Sequence, residues 1–117
     1  MKMRILLIDD EPRWIDFARR DLESFEIIVA KNQEEALAEL EQDRFHLVIA
    51  SSRWLEVLEV IREKYVDKRV MVATIKPSPR EALTAYRSGA VDYIPKSFAD
   101  HNLLEHVKKA VPLEREA

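Results

Sequence analysis

The chain has 117 residues, of which 47% are hydrophobic, and its formal net charge at pH 7 is -3. This length predicts one globular domain, and the mildly acidic balance argues against nucleic acid as a partner of this domain. The lack of cysteine excludes disulfides, thiol catalysis and thiolate metal sites. No apolar run is long enough to span a membrane and the start does not resemble a signal peptide, so we expect a cytoplasmic protein without membrane contact.

The first apolar run, residues 3–8, predicts a buried strand that ends at two adjacent acids, Asp9 and Asp10. A helix is expected to begin near Pro12, because proline suits the first helical turn. Two carboxylates at the end of a buried strand are costly unless a cation pairs with them. Either both acids face one pocket, or the segment is a solvated loop in which Asp10 caps the first helix.

The middle of the chain repeats this strand-and-helix pattern. Asn32 and Glu35 predict a capping box at the start of a second helix. A serine pair, Ser51 and Ser52, follows the third apolar run, and a third helix is expected to end near Tyr65. The predicted second, third and fourth strands cover residues 26–30, 45–50 and 69–75.

The fourth helix has the clearest boundaries. Ser78 is a typical N-cap and Pro79 suits the first helical position. Gly89, the only glycine in the chain, is expected as a left-handed C-cap. A short apolar run follows, and Lys96 lies just past it.

The last helix is predicted to begin at Ser97 or Asp100 and to end at Pro112. Residues 1–112 would then form the domain, and residues 113–117 a polar tail that is either a simple terminus or the start of a linker. Alternating strands and helices predict an α/β fold with a doubly wound parallel sheet of five strands and about five helices. In such a sheet the site lies at the carboxyl ends of the strands. Five residues are expected to converge there: Asp9, Asp10, Ser51, Thr74 and Lys96.

Taken together in order and spacing, several short motifs resemble the receiver domain of response regulators, the CheY-like family of two-component signalling. The resemblance covers nearly the whole chain and implies a flavodoxin-like strand order of 2-1-3-4-5. In the family, the acidic pair binds Mg²⁺ and an aspartate at the end of the third strand accepts a phosphoryl group. The residues that carry the resemblance are Asp9-Asp10, Thr74, Gly89-Ala90, Tyr93 and Lys96.

The position of the phosphoryl acceptor falls on Ser51, and the loop before the third helix is shorter than in the family by roughly five residues. The chain therefore resembles a pseudo-receiver without enzymatic activity. Ser51 is either a neutral placeholder or a nucleophile that would need Asp9 or Asp10 as its general base. Weak Mg²⁺ binding at these two acids is the one cofactor interaction that the resemblance still allows.

The remaining site residues have alternative interpretations. Lys96 contacts the phosphoryl group in the family, and here we expect its ammonium group to pair with Asp9 or Asp10. Arg53 either reaches the same acids in place of a cation or is an ordinary surface arginine. Thr74 and Tyr93 match the pair through which receivers relay phosphorylation, or they are a strand threonine and a partly buried aromatic residue.

The leading hypothesis is phosphorylation-independent contact with signalling proteins or an output domain. A homodimer is also possible through the face formed by residues 79–88, Tyr93 and residues 100–111. One alternative is a Mg²⁺-dependent regulator that is phosphorylated on a non-standard acceptor, and another is a sensor of a small ligand. The polar residues expected to set specificity on that face are Arg80, Thr84, Arg87 and Lys108.

Overall fold

The structure, a computed structural model, describes residues 2–42, 45–65 and 68–111. Within these ranges it contains five strands and five α-helices. The strands are β1 (Arg4–Ile8), β2 (Glu26–Ala30), β3 (Leu47–Ser51), β4 (Val70–Thr74) and β5 (Asp92–Pro95). The helices are α1 (Pro12–Asp21), α2 (Gln33–Gln42), α3 (Glu56–Lys64), α4 (Pro79–Arg87) and α5 (Asn102–Ala110), and a single 3₁₀ turn (Ser52–Trp54) precedes α3.

All strands are parallel and form one sheet in the order β2-β1-β3-β4-β5, so the predicted doubly wound fold and its strand order are confirmed. The predicted domain end at Pro112 and the tail 113–117 lie outside the described residues. No helix in the described ranges is long and apolar enough to cross a membrane.

Two apolar layers hold the helices against the sheet. The three central strands β1, β3 and β4 are almost fully buried because helices cover both of their faces. One layer packs α1 and α5 on the sheet, with Trp14, Phe17 and Leu103 at its centre. The other packs α2, α3 and α4 on the opposite face, with Leu40, Leu58 and Ala85 among its members. This two-sided burial fixes the carboxyl edge of the sheet, where the polar residues gather.

Local capping explains where several helices begin. The α1 cap is Glu11, whose carboxylate accepts a hydrogen bond from the Trp14 N–H at 2.7 Å, so the interpretation of Asp10 as this cap is wrong. Asn32 caps α2 as predicted, accepting from the Glu35 N–H at 2.8 Å, while the Glu35 carboxylate accepts from the N–H of Lys31.

Helix α4 has the predicted ends. Ser78 caps its start by accepting a hydrogen bond from the Glu81 N–H at 3.1 Å. Gly89 follows its C-terminus with φ +104°, a conformation that side chains disfavour.

The start of α5 differs from the prediction. The helix begins at Asn102, not at Ser97 or Asp100, and His101 precedes it in the left-handed conformation with φ 66°. Its cap comes from another helix: the Asp21 carboxylate accepts hydrogen bonds from the N–H groups of His101 (2.8 Å) and Leu104 (2.9 Å). Because this cap lies about 80 residues away in the sequence, a local pattern could not place the start.

Candidate functional site

The carboxyl ends of four strands enclose a cleft of about 310 Å³. Strand register sets its geometry: Ile8 pairs with Ala50, so the residues that follow them, Asp9 and Ser51, lie at the same level. Thr74 pairs with Pro95, which places Lys96 one residue further along the same edge. The polar residues that line the cleft are Asp9, Glu11, Ser51, Ser52, Arg53, Thr74, Lys76, Glu81 and Lys96.

Asp9 and Lys96 form a buried ion pair at the base of this cleft. Lys96 Nζ lies 2.8 Å from Asp9 Oδ2, and the two side chains are 5% and 1% exposed. Asp9 Oδ1 accepts a hydrogen bond from the Glu11 N–H at 3.1 Å, whereas Oδ2 meets Lys96 as a charge contact without hydrogen-bond alignment. The ammonium group also lies 5.8 Å from the centre of the Trp14 ring. Each buried charge is thus compensated by its partner.

Asp10 lines a different groove from Asp9, so the expectation that both acids face one pocket is wrong. This second groove lies between α1 and β2, and the alternation of side chains along a strand accounts for the separation of the two acids. Asp10 Oδ1 lies 2.7 Å from Nη1 of Arg53, a residue that lines the cleft, and the Asp10 and Arg53 side chains are 36% and 64% exposed. The Arg53 guanidinium also lies 5.1 Å from the Trp54 ring centre. Arg53 is therefore an ion-pair partner of Asp10 and not an isolated surface arginine.

The serine pair occupies the floor of the cleft. Ser51 is 3% exposed, and its Oγ accepts a hydrogen bond from the Arg53 N–H at 3.3 Å, which caps the 3₁₀ turn. Ser52 Oγ donates to Thr74 Oγ1 at 3.2 Å, and the same threonine oxygen accepts from the Lys76 N–H at 3.2 Å. The role of Ser52 was not predicted, although a second serine directly after the strand was the available signal.

Tyr93 and Thr74 lie on adjacent strands. The Tyr93 hydroxyl accepts a hydrogen bond from the Ser78 N–H at 3.2 Å and donates one to the Glu81 carboxylate. Burial raises the pKa of Tyr93, and the hydrogen bond to Glu81 raises it further. Tyr93 therefore fastens the first turn of α4 to β5.

The outer face of α4, β5 and α5 carries the residues predicted for protein contact. Arg80, Thr84, Arg87 and Lys108 are exposed there. The Thr84 hydroxyl, however, donates to the Arg80 carbonyl oxygen at 3.1 Å and is used within the helix.

The same part of the chain carries three exposed apolar residues that were not predicted. We call them the apolar patch: Leu83, Tyr86 and Val91, which are 51%, 49% and 45% exposed. In the sequence, this patch was indicated only by Leu83 and Tyr86, two large apolar residues three positions apart on a predicted helix.

The residues present do not fit a divalent cation. In the described ranges no group of three or more His, Cys, Asp or Glu side chains is arranged to hold a metal ion. Mg²⁺ requires near-octahedral oxygen ligands, but Asp9 is paired with Lys96, Asp10 is paired with Arg53, and position 51 supplies no carboxylate. Chemically, the site offers two carboxylates, each paired with a cationic side chain, and the neutral hydroxyl groups of Ser51, Ser52 and Thr74.

Residues 5–108 match the family described as "Response regulator receiver domain". Among curated relatives, the chain is 30% identical over 115 residues to the response regulator MprA of Mycolicibacterium vanbaalenii, covering 92% of this chain and 50% of that protein. It is 26% identical over 111 residues to the transcriptional regulatory protein CpxR of Klebsiella pneumoniae, covering 90% of this chain and 47% of that protein. The chain thus spans about half the length of the curated relatives it matches.

Two solved structures from Thermotoga maritima are similar over nearly their full length. One is a response regulator with 29% identity and a TM-score of 0.88, covering 94% of this chain and 98% of that one. The other is the response regulator TrrA in complex with Mg²⁺ and BeF, with 36% identity and a TM-score of 0.82, covering 95% of this chain and 100% of that one.

Proposed function

The chain belongs to the family of response regulator receiver domains, and from that premise we propose that it is a pseudo-receiver, which signals by contact with other proteins and without being phosphorylated. The observation that carries the proposal is the identity and setting of residue 51. Ser51 is buried at the end of β3, and its oxygen is occupied as the cap of the following turn. A carboxylate attacks phosphorus as an existing anion, whereas a hydroxyl must first lose its proton to a general base.

Both candidate bases are already engaged. Asp9 is paired with Lys96, and Asp10 is paired with Arg53. If Asp9 left Lys96 to take up the proton, a buried ammonium group would lose its counter-ion. This argues against Ser51 as a nucleophile and, with it, against the alternative of phosphorylation on a non-standard acceptor.

We define the contact face as the exposed side of α4, β5 and α5. Its exposed apolar residues are Leu83, Tyr86 and Val91, and it also carries the exposed positive side chains of Arg80, Arg87 and Lys108. Exposed apolar residues combined with charged ones are typical of a protein-binding surface. We propose that this face binds a signalling protein or an output domain, and that a second copy of the chain is an alternative occupant.

Incubation with acetyl phosphate and Mg²⁺ followed by intact-mass measurement tests the absence of phosphorylation. The unchanged protein is expected to gain no phosphoryl group. The matched control is Ser51→Asp, which restores an anionic oxygen at the end of β3 and is expected to gain one group. A phosphoryl adduct on the unchanged protein, at Ser51 or any neighbour, would overturn the proposal.

The contact face is tested by replacing one residue of its apolar patch. Leu83→Asp is expected to abolish capture of the partner in a pull-down, because it places a charge in the patch. Glu63→Asp, an exposed conservative change on α3, is the control and should leave capture unchanged. Capture that is equal for both variants would exclude this face as the binding surface.

A further inference from the structure

We infer that Arg53 occupies the place that a divalent cation would need beside Asp10 and thereby excludes metal from this receiver. The inference goes beyond the proposed function, since it concerns metal binding alone. It follows from the mismatch between the residues of the cleft and the ligand set that a magnesium ion requires. The Arg53 guanidinium neutralises the Asp10 carboxylate, as a bound metal ion would.

Three contacts hold Arg53 in this position. Its Nη1 lies 2.7 Å from Asp10 Oδ1, its guanidinium carbon lies 5.1 Å from the Trp54 ring centre, and its backbone N–H donates to Ser51 Oγ at 3.3 Å. An exposed ion pair alone contributes little to stability. The cation–π contact and the hydrogen-bonded turn restrict the side chain further, so that the guanidinium remains beside the acid.

The 3₁₀ turn (Ser52–Trp54) explains why an arginine can reach this acid. It follows β3 immediately, and its capping hydrogen bond from the Arg53 N–H to Ser51 Oγ fixes the turn against the strand end. The Arg53 side chain therefore extends over the carboxyl end of β1, where Asp10 lies next to the sheet. Asp10 and Arg53 are brought together by the adjacency of β1 and β3, although they are 43 residues apart in the sequence.

Electrostatic repulsion from neighbouring positive side chains should weaken the binding of a divalent cation at the strand ends. A divalent cation at the strand ends would meet two fixed positive groups, Arg53 at Asp10 and Lys96 at Asp9. The repulsion between a guanidinium and a doubly charged ion a few ångströms away is reduced by solvent, because Arg53 is largely exposed. About a tenfold loss of metal affinity is the effect expected from Arg53 at this exposure.

Titration calorimetry with Mg²⁺ alone tests this inference in a background that can bind metal. Ser51→Asp supplies the missing carboxylate, and the comparison is between Ser51→Asp and the double variant Ser51→Asp/Arg53→Gln. The double variant is expected to bind Mg²⁺ at least about tenfold more tightly. Equal affinity of the two variants, or no measurable binding by either, would overturn the inference.

Two further variants test whether the effect on Mg²⁺ affinity depends on a positive charge at position 53 or on the net charge of the protein. Ser51→Asp/Arg53→Lys keeps a positive group at the site and should stay close to Ser51→Asp. Ser51→Asp/Arg62→Gln removes an α3 arginine that pairs with Glu59 away from the cleft and should also leave the affinity unchanged. A gain of affinity in the Arg62 variant as large as in the Arg53 variant would contradict a specific role for Arg53.

Fluorescence offers a second readout in the same background. Trp54 is partly exposed beside Arg53, so we expect the emission of Ser51→Asp/Arg53→Gln to change at a Mg²⁺ concentration about tenfold lower than that of Ser51→Asp. An equal response of these two variants would count against the inference. A phosphoryl adduct on the unchanged protein would instead contradict the proposed function and leave the metal exclusion standing, so the two failures are distinguishable.

Discussion

Lys96 Nζ lies 2.8 Å from Asp9 Oδ2 in a nearly completely buried ion pair that joins the carboxyl ends of β5 and β1, strands that are not neighbours in the sheet. The pair therefore spans the cleft from one side to the other. Because both charges are removed from water, each depends on the other for compensation. We expect the main contribution of this pair to be structural.

Replacing Lys96 should be severely destabilising, because it leaves the Asp9 carboxylate buried without a counter-ion. For Lys96→Met we expect a loss of about 3–5 kcal/mol in the free energy of unfolding, measured by urea denaturation. The double variant Asp9→Asn/Lys96→Met should recover much of this loss, since no unpaired charge remains. Lys76→Met, an exposed lysine on the rim of the same cleft, is the control. A Lys96→Met protein as stable as this control would contradict the structural role.

The Tyr93 hydroxyl should stabilise the folded protein at neutral pH and lose this effect at alkaline pH. Tyr93→Phe removes the hydrogen bonds to Ser78 and Glu81 and is expected to cost about 1 kcal/mol at neutral pH. Since the folded protein raises the pKa of Tyr93 above its ordinary value, the tyrosine keeps its proton to higher pH in the folded state than in the unfolded state. The advantage over phenylalanine is therefore complete below about pH 10 and shrinks as pH rises through the raised pKa.

Urea denaturation across this alkaline range measures the effect as the difference between the two proteins. Burial also raises the pKa of Tyr86, but Tyr86 is present in both, so its contribution cancels. A stability difference that stays constant from neutral to strongly alkaline pH would show that Tyr93 titrates alike in the folded and unfolded states.

Features set by neighbouring residues in the sequence could be predicted. The predicted bounds of β2 match the structure residue for residue, because an apolar run this short is more readily a buried strand than a helix. Ser78 before Pro79 identified the start of α4, since a cap and the first helical position are local properties. Gly89 identified its end for the same reason. The ion pair between Lys96 and an acid could be proposed because five strand ends had to meet at one edge.

Features that depend on the direction of a side chain or on distant contacts could not be predicted. The sequence placed Asp9 and Asp10 at one strand end but not on which side of it each carboxylate lies. The separation of the two acids follows from the strand's alternation, continued two residues past β1. The start of α5 depends on Asp21, a residue of α1 that no local window includes. A contact between residues this far apart in the sequence forms only when α1 and α5 pack together.

Gly89 should be sensitive to any added side chain. Its φ of +104° is disfavoured for other residues, and an added Cβ would lie 3.3 Å from Arg62 Cδ. Because the arginine side chain is flexible, backbone strain should dominate, and Gly89→Ala is expected to cost about 1–2 kcal/mol in unfolding experiments. Ser88→Ala next to it has an ordinary φ of -84° and should change stability much less. Similar losses for both variants would argue against backbone strain at Gly89.

Asp21 should stabilise α5 although it belongs to α1. Its two carboxylate oxygens accept hydrogen bonds from the N–H groups of His101 and Leu104, which lack partners within the helix. Asp21→Ala is expected to cost about 1–2 kcal/mol in the free energy of unfolding, as the loss of an N-cap does. Asp16→Ala, an exposed acid on the same helix, should be close to neutral.

Amide hydrogen exchange distinguishes a lost cap from a general loss of stability. In Asp21→Ala the N–H groups of His101 and Leu104 should exchange faster than the drop in global stability accounts for, because local fraying of the first turn of α5 opens them separately. Asp21→Asn keeps one accepting oxygen, so its exchange rates and stability should fall between those of the unchanged protein and Asp21→Ala. If both amides instead keep their protection in Asp21→Ala, the cap contributes nothing measurable, and α5 is held by Leu103 and Val107 in the apolar layer beneath it.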